Sequence, residues 1–281
     1  MARGLIAAAL AAAVLAGAAT GSHGRSLRPF AGTGSWVSIY DTAALSHPER
    51  VVARLQANGI HTLFLETSND RQSTGVRRPV AVARLLDTAH AAHIAVVGWY
   101  LPSFSSPRAD VRKALQGARF TSPSGVGFSA FALDIESTKI RSLRVRSTRA
   151  VAVARAVRQG LPHRMALGAI TIDPVGARYW NGYPFARLAR YVDVFLPMEY
   201  FTARASGARA VARYSRANVA AVRLLTGDAR FPVHPIGGAA DKASAPELRA
   251  FLRASRGTLG VSLWEYGLTS PRQLAQLGAS R

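Results

Sequence analysis

The segment at residues 128–136, FSAFALDIE, carries two carboxylates at the end of a strand-forming run. Asp134 and Glu136 are two residues apart, so both side chains point to the same side of an extended chain. Ala130 and Ala132 share that side and leave space beside the carboxylates, while the residues between them would face the opposite way. Neighbouring carboxylates oppose each other's ionisation, which keeps one of them protonated near neutral pH. The pair is therefore a candidate for general acid–base chemistry.

Five more acidic residues stand where other strand-like runs end: Asp41, Glu66, Asp173, Glu199 and Glu265. The chain has only 15 Asp and Glu residues, so seven of them at strand ends is more than scatter would produce. The alternative is that single members cap the helices that follow the strands.

Aromatic residues gather at the same strand ends. They are Trp36, Tyr40, Trp99, Tyr100, Tyr200, Trp264 and Tyr266, and the run after the fifth strand adds Tyr179, Trp180 and Tyr183. Aromatic rings pack against the C–H faces of sugars, but they also fill ordinary cores. Strand alternation separates the two uses. If Trp264 faces a site then Glu265 does not, unless the strand has already ended. For the same reason, Tyr200 and Glu199 cannot both face the site from within one strand.

Eight strand-like runs must position these residues. They begin near residues 36, 61, 94, 128, 165, 193, 232 and 259. The steps of 25 to 39 residues leave room for a loop, a helix and a return, as parallel strands require. Helical patterns occupy residues 48–59, 78–92, 148–160, 208–225 and 245–257, and capping boxes begin at Ser46, Ser244 and Ser270.

This order predicts a single-domain α/β protein, a (β/α)8 TIM barrel over residues 36–281, whose site lies at the carboxyl ends of the strands. The alternative is a doubly wound open sheet. That fold usually has a glycine-rich phosphate loop after its first strand, and residues 41–50 contain no glycine.

The first residues predict export. A positive start, an apolar run over residues 4–16 and the small residues Ala16 and Ala18 indicate a signal peptide at 1–18. Residues 19–35 are rich in Gly and Ser and predict a flexible leader. We therefore expect a secreted, extracellular protein, in which no later segment is apolar enough to span a membrane. No metal or cofactor is expected, because the chain lacks cysteine and the common metal and phosphate motifs.

The formal net charge is +21, from 36 Lys and Arg against 15 Asp and Glu. The basic residues are spread along the chain, which indicates a solvated basic surface rather than a specific nucleic-acid face. Such a surface would attract anionic cell-wall polymers. A hydrophobic fraction of 49% excludes a disordered protein.

Residues 131–136, 198–200 and 263–264 resemble the strand 4, 6 and 8 signatures of chitinase-like family 18 glycoside hydrolases. The resemblance implies that Glu136 is the proton donor and that Asp134 orients a substrate acetamido group. It also implies that Tyr200 helps to hold this group and that Trp264 forms the floor of the sugar subsite. The first two acids of the family motif fall on Ser129 and Ala132 here.

The Asp134–Glu136 pair, with Trp264 and Tyr266, also resembles lysozyme-type family 25 barrels, although Asp41 departs from their first-strand aspartate. As a whole, residues 35–275 are similar to secreted glycoside-hydrolase-like barrels of actinobacteria. The implied function is hydrolysis of a cell-wall, peptidoglycan-type or environmental polysaccharide. The strand 7 end, HPIGG, offers no carboxylate, which disfavours a retaining nucleophile there.

Two other functions stay open. One is a catalytically silent barrel that binds a glycan or wall polymer, favoured by the missing acids at 129 and 132. The other is an enzyme for a phosphorylated substrate, favoured by the arginines after strand 4, which are Arg141, Arg144, Arg146 and Arg149. For a glycosidase, the candidate catalytic residues are Glu136, Asp134, Glu199 and Tyr200. The candidate substrate-binding residues are Asp41, Glu66, Trp99, Tyr100, Asp173, Trp180, Trp264 and Glu265.

Overall fold

The computed structural model describes residues 24–280, in which eight parallel strands form one closed barrel. Each strand pairs with the next along the chain, and the eighth returns to pair with the first. The strands are β1 (Gly32–Val37), β2 (Thr62–Asn69), β3 (Ala95–Leu101), β4 (Ala130–Ile135), β5 (Leu167–Thr171), β6 (Val194–Glu199), β7 (Ile236–Gly237) and β8 (Gly260–Leu263). The predicted (β/α)8 fold is confirmed.

Helices connect the strands and cover the outside of the barrel. They are α1 (Thr42–Ser46), α2 (Pro48–Ala57), α3 (Pro79–Ala91), α4 (Pro107–Ala118), α5 (Leu143–Gly160), α6 (Phe185–Leu188), α7 (Ala208–Thr226), α8 (Ala245–Ala254) and α9 (Pro271–Gly278). The sequence analysis gave no helix for the α4 segment. Its buried face consists of the charged residues Asp110 and Lys113 and the small residues Ala114, Gly117 and Ala118, so the hydrophobic period is broken.

The sequence analysis placed the start of the barrel at Trp36, but the barrel begins earlier. Strand β1 starts at Gly32, and the preceding turn of 3-10 helix (Arg28–Phe30) packs under the barrel. The Phe30 side chain is fully buried 6.2 Å from the Phe64 ring, and Thr62 donates a hydrogen bond to the Pro29 carbonyl. Residues 28–35 are therefore part of the fold rather than a flexible leader. The predicted signal peptide at 1–18 lies outside the described residues.

Two of the three predicted capping boxes form. Ser244 accepts from the backbone N–H of Glu247, and Ser270 accepts from that of Gln273, with both reciprocal bonds present. The box at Ser46 is wrong. Asp41 starts the short helix α1 first, that helix ends at Ser46, and His47 becomes the N-cap of α2 without a side-chain bond.

Strand alternation sorts the side chains as expected for β4. Ala130 and Ala132 face the barrel interior with Trp36 and Trp99, whereas Phe131 and Leu133 pack against the helices. The small alanines leave room in the interior for the two indole rings. Within residues 24–280, no helix combines the length and the hydropathy that crossing a bilayer requires.

Candidate functional site

A pocket of about 870 Å³ opens at the carboxyl ends of the strands. All eight strands, or the residues that directly follow them, contribute to its wall. Four of the seven strand-end carboxyl groups line it, those of Glu66, Asp134, Glu136 and Glu265, and Asp70 adds a fifth carboxyl group from the loop after β2. The sequence analysis expected the carboxylates to converge at this face, and these four do so.

Asp134 and Glu136 reach the pocket from β4 and from the first residue after it. Burial raises the pKa of Asp134 well above its usual range, and the carboxylates of Glu136 and Glu66 raise it further. Burial also raises the pKa of Glu136. Oδ1 of Asp134 accepts no hydrogen bond from the described residues. The pair therefore holds a proton more tightly than free carboxyl groups do.

Glu66 lies within β2, three residues before the strand ends at Asn69, and is 3% exposed. Its Oε2 accepts from the Ile39 backbone N–H at 3.1 Å, and its Oε1 accepts from the Asn69 side-chain amide at 3.0 Å. Burial outweighs these two bonds and raises the pKa of Glu66 to about 7. The sequence analysis missed Asn69, although it lies three residues after Glu66 in the same strand.

The free energy of unfolding should depend on the ionisation of Glu66. Because burial raises the pKa of Glu66 from 4.5 to about 7, ionising it costs folding free energy as the pH rises through that window. We expect the wild type to lose about 3 kcal/mol of unfolding free energy between pH 4.5 and pH 8, relative to Glu66→Gln. Urea unfolding of both proteins at the two pH values measures this. Parallel pH curves for the two proteins would contradict it.

Three tryptophans form the floor of the pocket. The ring centroids of Trp36, Trp99 and Trp264 are 6.0 Å apart in each of the three pairs. The Trp36 Nε1–H donates to Ser262 at 2.8 Å, which fixes one ring of the triangle. Trp36 and Trp99 are only 1% and 3% exposed, so Trp264, which is partly exposed, offers the ring surface against which a sugar can pack.

Trp264 and Glu265 both line the pocket, although they are adjacent in sequence. Strand β8 ends at Leu263, so strand alternation no longer governs the two side chains. The peptide bond between them is cis. Burial and the neighbouring Asp41 raise the pKa of Glu265.

Tyr100 and Glu199 do not reach the pocket, which corrects their assignment to the site. Both lie within strands, where Trp99 and Met198 take the inward positions and turn the next residue outward. The Tyr100 hydroxyl is buried and donates to Asp110 at 2.9 Å. Glu199 is fully buried beside Ser215 of α7, and this burial raises its pKa well above the usual range.

Trp180 is also outside the pocket. Its side chain is 1% exposed, its Nε1–H donates to Ser147 at 2.9 Å, and the Arg146 guanidinium lies 4.8 Å from its ring centroid. The preceding residue, Tyr179, lines the pocket in its place. The loop after β5 therefore contributes an aromatic ring, but not the one that the sequence analysis chose.

Asp41 and Asp173 organise the rim rather than the pocket wall. Asp41 accepts from the Ala44 N–H at 2.9 Å and caps α1, as the alternative reading of the strand-end acids proposed. Asp173 accepts from backbone N–H groups of its own loop and from Arg204 Nε at 3.2 Å. It borders a side cavity of about 140 Å³ that it shares with Glu136 and Tyr200.

Tyr200 lines the main pocket from the residue after β6. Burial, together with the nearby Asp134 and Glu136, raises the pKa of its hydroxyl well above the usual range. The hydroxyl therefore keeps its proton and can donate a hydrogen bond to a ligand in the pocket.

Three charged residues at the rim of the pocket were not singled out by the sequence analysis. Asp70 and Arg71 follow β2 and Lys139 follows β4, and all three line the pocket. None of the four arginines that the sequence did suggest lines the pocket, and two of them bind backbone carbonyls elsewhere. Arg146 is buried and donates to the Ile140 carbonyl, and Arg149 donates to the Phe104 carbonyl.

In residues 24–280, no group of three or more His, Asp or Glu side chains is arranged to hold a metal ion.

No protein-family model matches the chain, and no curated protein sequence matches it. Solved structures match its fold. The endo-β-1,4-mannanase of Thermotoga petrophila aligns with a TM-score of 0.69 and 11% identity, over 89% of this chain and 77% of the mannanase. A chitinase from Bacteroides thetaiotaomicron gives 0.64 and 12%, over 89% and 97%. The spore cortex-lytic enzyme SleL of Bacillus cereus gives 0.62 and 10%, over 89% and 74%. At these identities the likeness establishes the barrel fold.

Proposed function

We propose that the protein is a glycoside hydrolase that cleaves a polysaccharide, with Glu136 as the general acid. The observation that carries the proposal is the pocket itself, in which Glu66, Asp134 and Glu136 have raised pKa values above a floor of three tryptophans. A glycosidase needs a carboxyl group that is still protonated when the glycosidic oxygen leaves. It also needs an apolar surface for the sugar ring.

In this proposal the carboxyl groups of Asp134 and Glu136 have different roles. Glu136 is the more exposed of the pair and gives its proton to the leaving oxygen. Asp134 lies deeper and orients the reacting group, either a substrate acetamido group or a water molecule. Tyr200 donates a hydrogen bond to that group, and Glu66 is the carboxyl available to activate a water.

The named activities of the similar structures support the choice of substrate class. Mannanase, chitinase and cortex-lytic enzyme are names of proteins that act on polysaccharide or wall glycans. Together with the signal-like start of the sequence, they favour an exported enzyme for a cell-wall or environmental polysaccharide. The test measures the release of new reducing ends from mannan, chito-oligosaccharides and peptidoglycan, with the Glu136→Gln variant as the negative control.

A second candidate is a barrel that binds glycan without cleaving it. Where the family 18 motif has its first two acids, this chain has Ser129 and the buried Ala132. Ala132 has no carboxyl to donate to the unbonded oxygen of Asp134. Binding of glycans without any release of reducing ends would favour this candidate.

Cell-wall association is proposed to rest on the basic surface. The excess of 21 positive charges would attract anionic wall polymers and release their counterions. Retention on isolated cell wall should therefore fall steeply as NaCl is raised from 50 to about 500 mM, because salt screens exposed charges. Retention that stays constant across this titration would argue against surface electrostatics.

A further inference from the structure

We propose that the pocket wall formed by Arg71 and Lys139 binds the carboxylate of an acidic sugar. The proposal rests on the proposed function and narrows its substrate class, from polysaccharides in general to those that carry carboxyl groups. The wall consists of the loop after β2 and the loop after β4, and Lys139 lies three residues beyond Glu136. A sugar bound there would be next to the proposed proton donor.

Arg71 is held in place by its backbone. Its N–H donates to Asn69 Oδ1 at 3.1 Å. The Nζ of the buried Lys113 donates to the carbonyls of Asn69, Asp70 and Gln72, at 3.3, 3.0 and 3.0 Å. The loop therefore has a fixed position, and the arginine points from a rigid base.

Lys139 is held on the same wall by an ion pair with Asp70, which joins the two loops across the end of β3. This pair neutralises Asp70. In the part of the chain that the structure describes, no carboxylate pairs with Arg71, and its guanidinium has no hydrogen-bond partner. The wall thus carries one uncompensated positive charge, and the Lys139 side chain remains 48% exposed.

The carboxyl groups that line the same pocket do not cancel this charge fully. Glu66 and Asp134 are buried and Glu136 is half-buried, and burial raises the pKa of each, so these groups resist ionisation more than exposed carboxyl groups do. The guanidinium fork matches a carboxylate with two parallel hydrogen bonds. Two sugar chemistries present such a group, namely the C6 carboxylate of a uronic acid and the lactyl ether carboxylate of a muramic acid. The wall recognises the feature that they share.

The experiment measures binding, so that hydrolysis does not interfere. Calorimetry is done on the Glu136→Gln protein with three ligands, an oligouronate, the same oligosaccharide after reduction of its carboxyl groups, and a disaccharide of N-acetylglucosamine and N-acetylmuramic acid. We expect a carboxylated ligand to bind better than the reduced one. Adding Arg71→Gln should lower the affinity for that ligand by about 10- to 100-fold, because a charge-assisted hydrogen bond is lost. The affinity for the reduced ligand should not change.

The matched control is Arg253→Gln on α8, which removes the same charge from an exposed position outside the pocket. Arg71→Lys should restore part of the affinity, since it keeps the charge but not the fork. The carboxylated ligand that binds more tightly identifies the source of the carboxylate. Equal affinity for acidic and reduced ligands, equal losses in both Arg variants, or no binding of any of the three ligands would overturn the proposal.

The two proposals fail separately. If the wild type cleaves a neutral glycan and Arg71→Gln changes nothing, the glycosidase proposal stands and the acidic-sugar proposal falls. If the wild type cleaves none of the substrates but binds the carboxylated ligand through Arg71, the wall binds acidic sugar and the hydrolase proposal falls.

Discussion

Replacing Glu136 with glutamine is expected to lower the rate of glycan hydrolysis by about 10²- to 10⁴-fold, which is the usual contribution of general acid–base assistance. Glutamine keeps the shape of the side chain but has no acidic proton to give to the leaving oxygen. Since Trp36, Trp99 and Trp264 still form the floor, glycan affinity should change little. Initial rates of reducing-end release, with binding measured on the same preparations, test both parts.

The control is Glu49→Gln, a change of the same type at an exposed position of α2 that does not line the pocket. It should leave the rate unchanged. Hydrolysis that survives Glu136→Gln undiminished would remove this residue from the acid role. The search would then move to Glu66 and Glu265, which also line the pocket, and not to the buried Glu199.

The sequence predicted the barrel because two independent patterns agree. Strand-like runs recur at steps that fit parallel pairing, and helix-start signals such as Ser244 and Ser270 stand between them. The start of β1 was misplaced, since Gly32 and Gly34 have weak strand propensity, and the segment is a strand through its pairing with β2 and β8.

Strand alternation predicted which side chains face the pocket only where the inward and outward positions of the strand were stated explicitly. On β4 the phase was explicit, and Asp134 lines the pocket as expected. Around Trp99 and Tyr100, both neighbours were chosen, although only one can face inward within a strand. Trp264 and Glu265 escape this limit because β8 stops one residue earlier, which no residue pattern revealed.

The loop residues could not be predicted from periodicity. Arg71 and Lys139 reach the pocket from two irregular loops, and the path of the loop after β2 depends on the buried Lys113 of α4. Long-range hydrogen bonds of this kind leave no local pattern in a sequence. Composition gave one hint, because Lys139 is one of only three lysines in a chain that otherwise uses arginine.

Trp180→Ala is expected to cost about 3–5 kcal/mol of unfolding free energy, as truncation of a buried tryptophan usually does. The ring is fully enclosed by Phe104, Tyr183 and the Arg146 side chain, so its removal leaves a cavity and an unpaired Ser147 hydroxyl. Urea unfolding measures the loss.

Trp264→Ala is the matched change, because it removes the same side chain from the pocket floor, where the residue is only partly buried. We expect a smaller loss of stability and a loss of glycan affinity of about tenfold or more, since the sugar loses a stacking surface. The two variants should therefore separate, with Trp180→Ala weakening the fold and Trp264→Ala weakening binding. If Trp180→Ala instead lowered affinity at unchanged stability, its ring would have to contact the ligand, and the placement of Tyr179 as the pocket aromatic of that loop would be wrong.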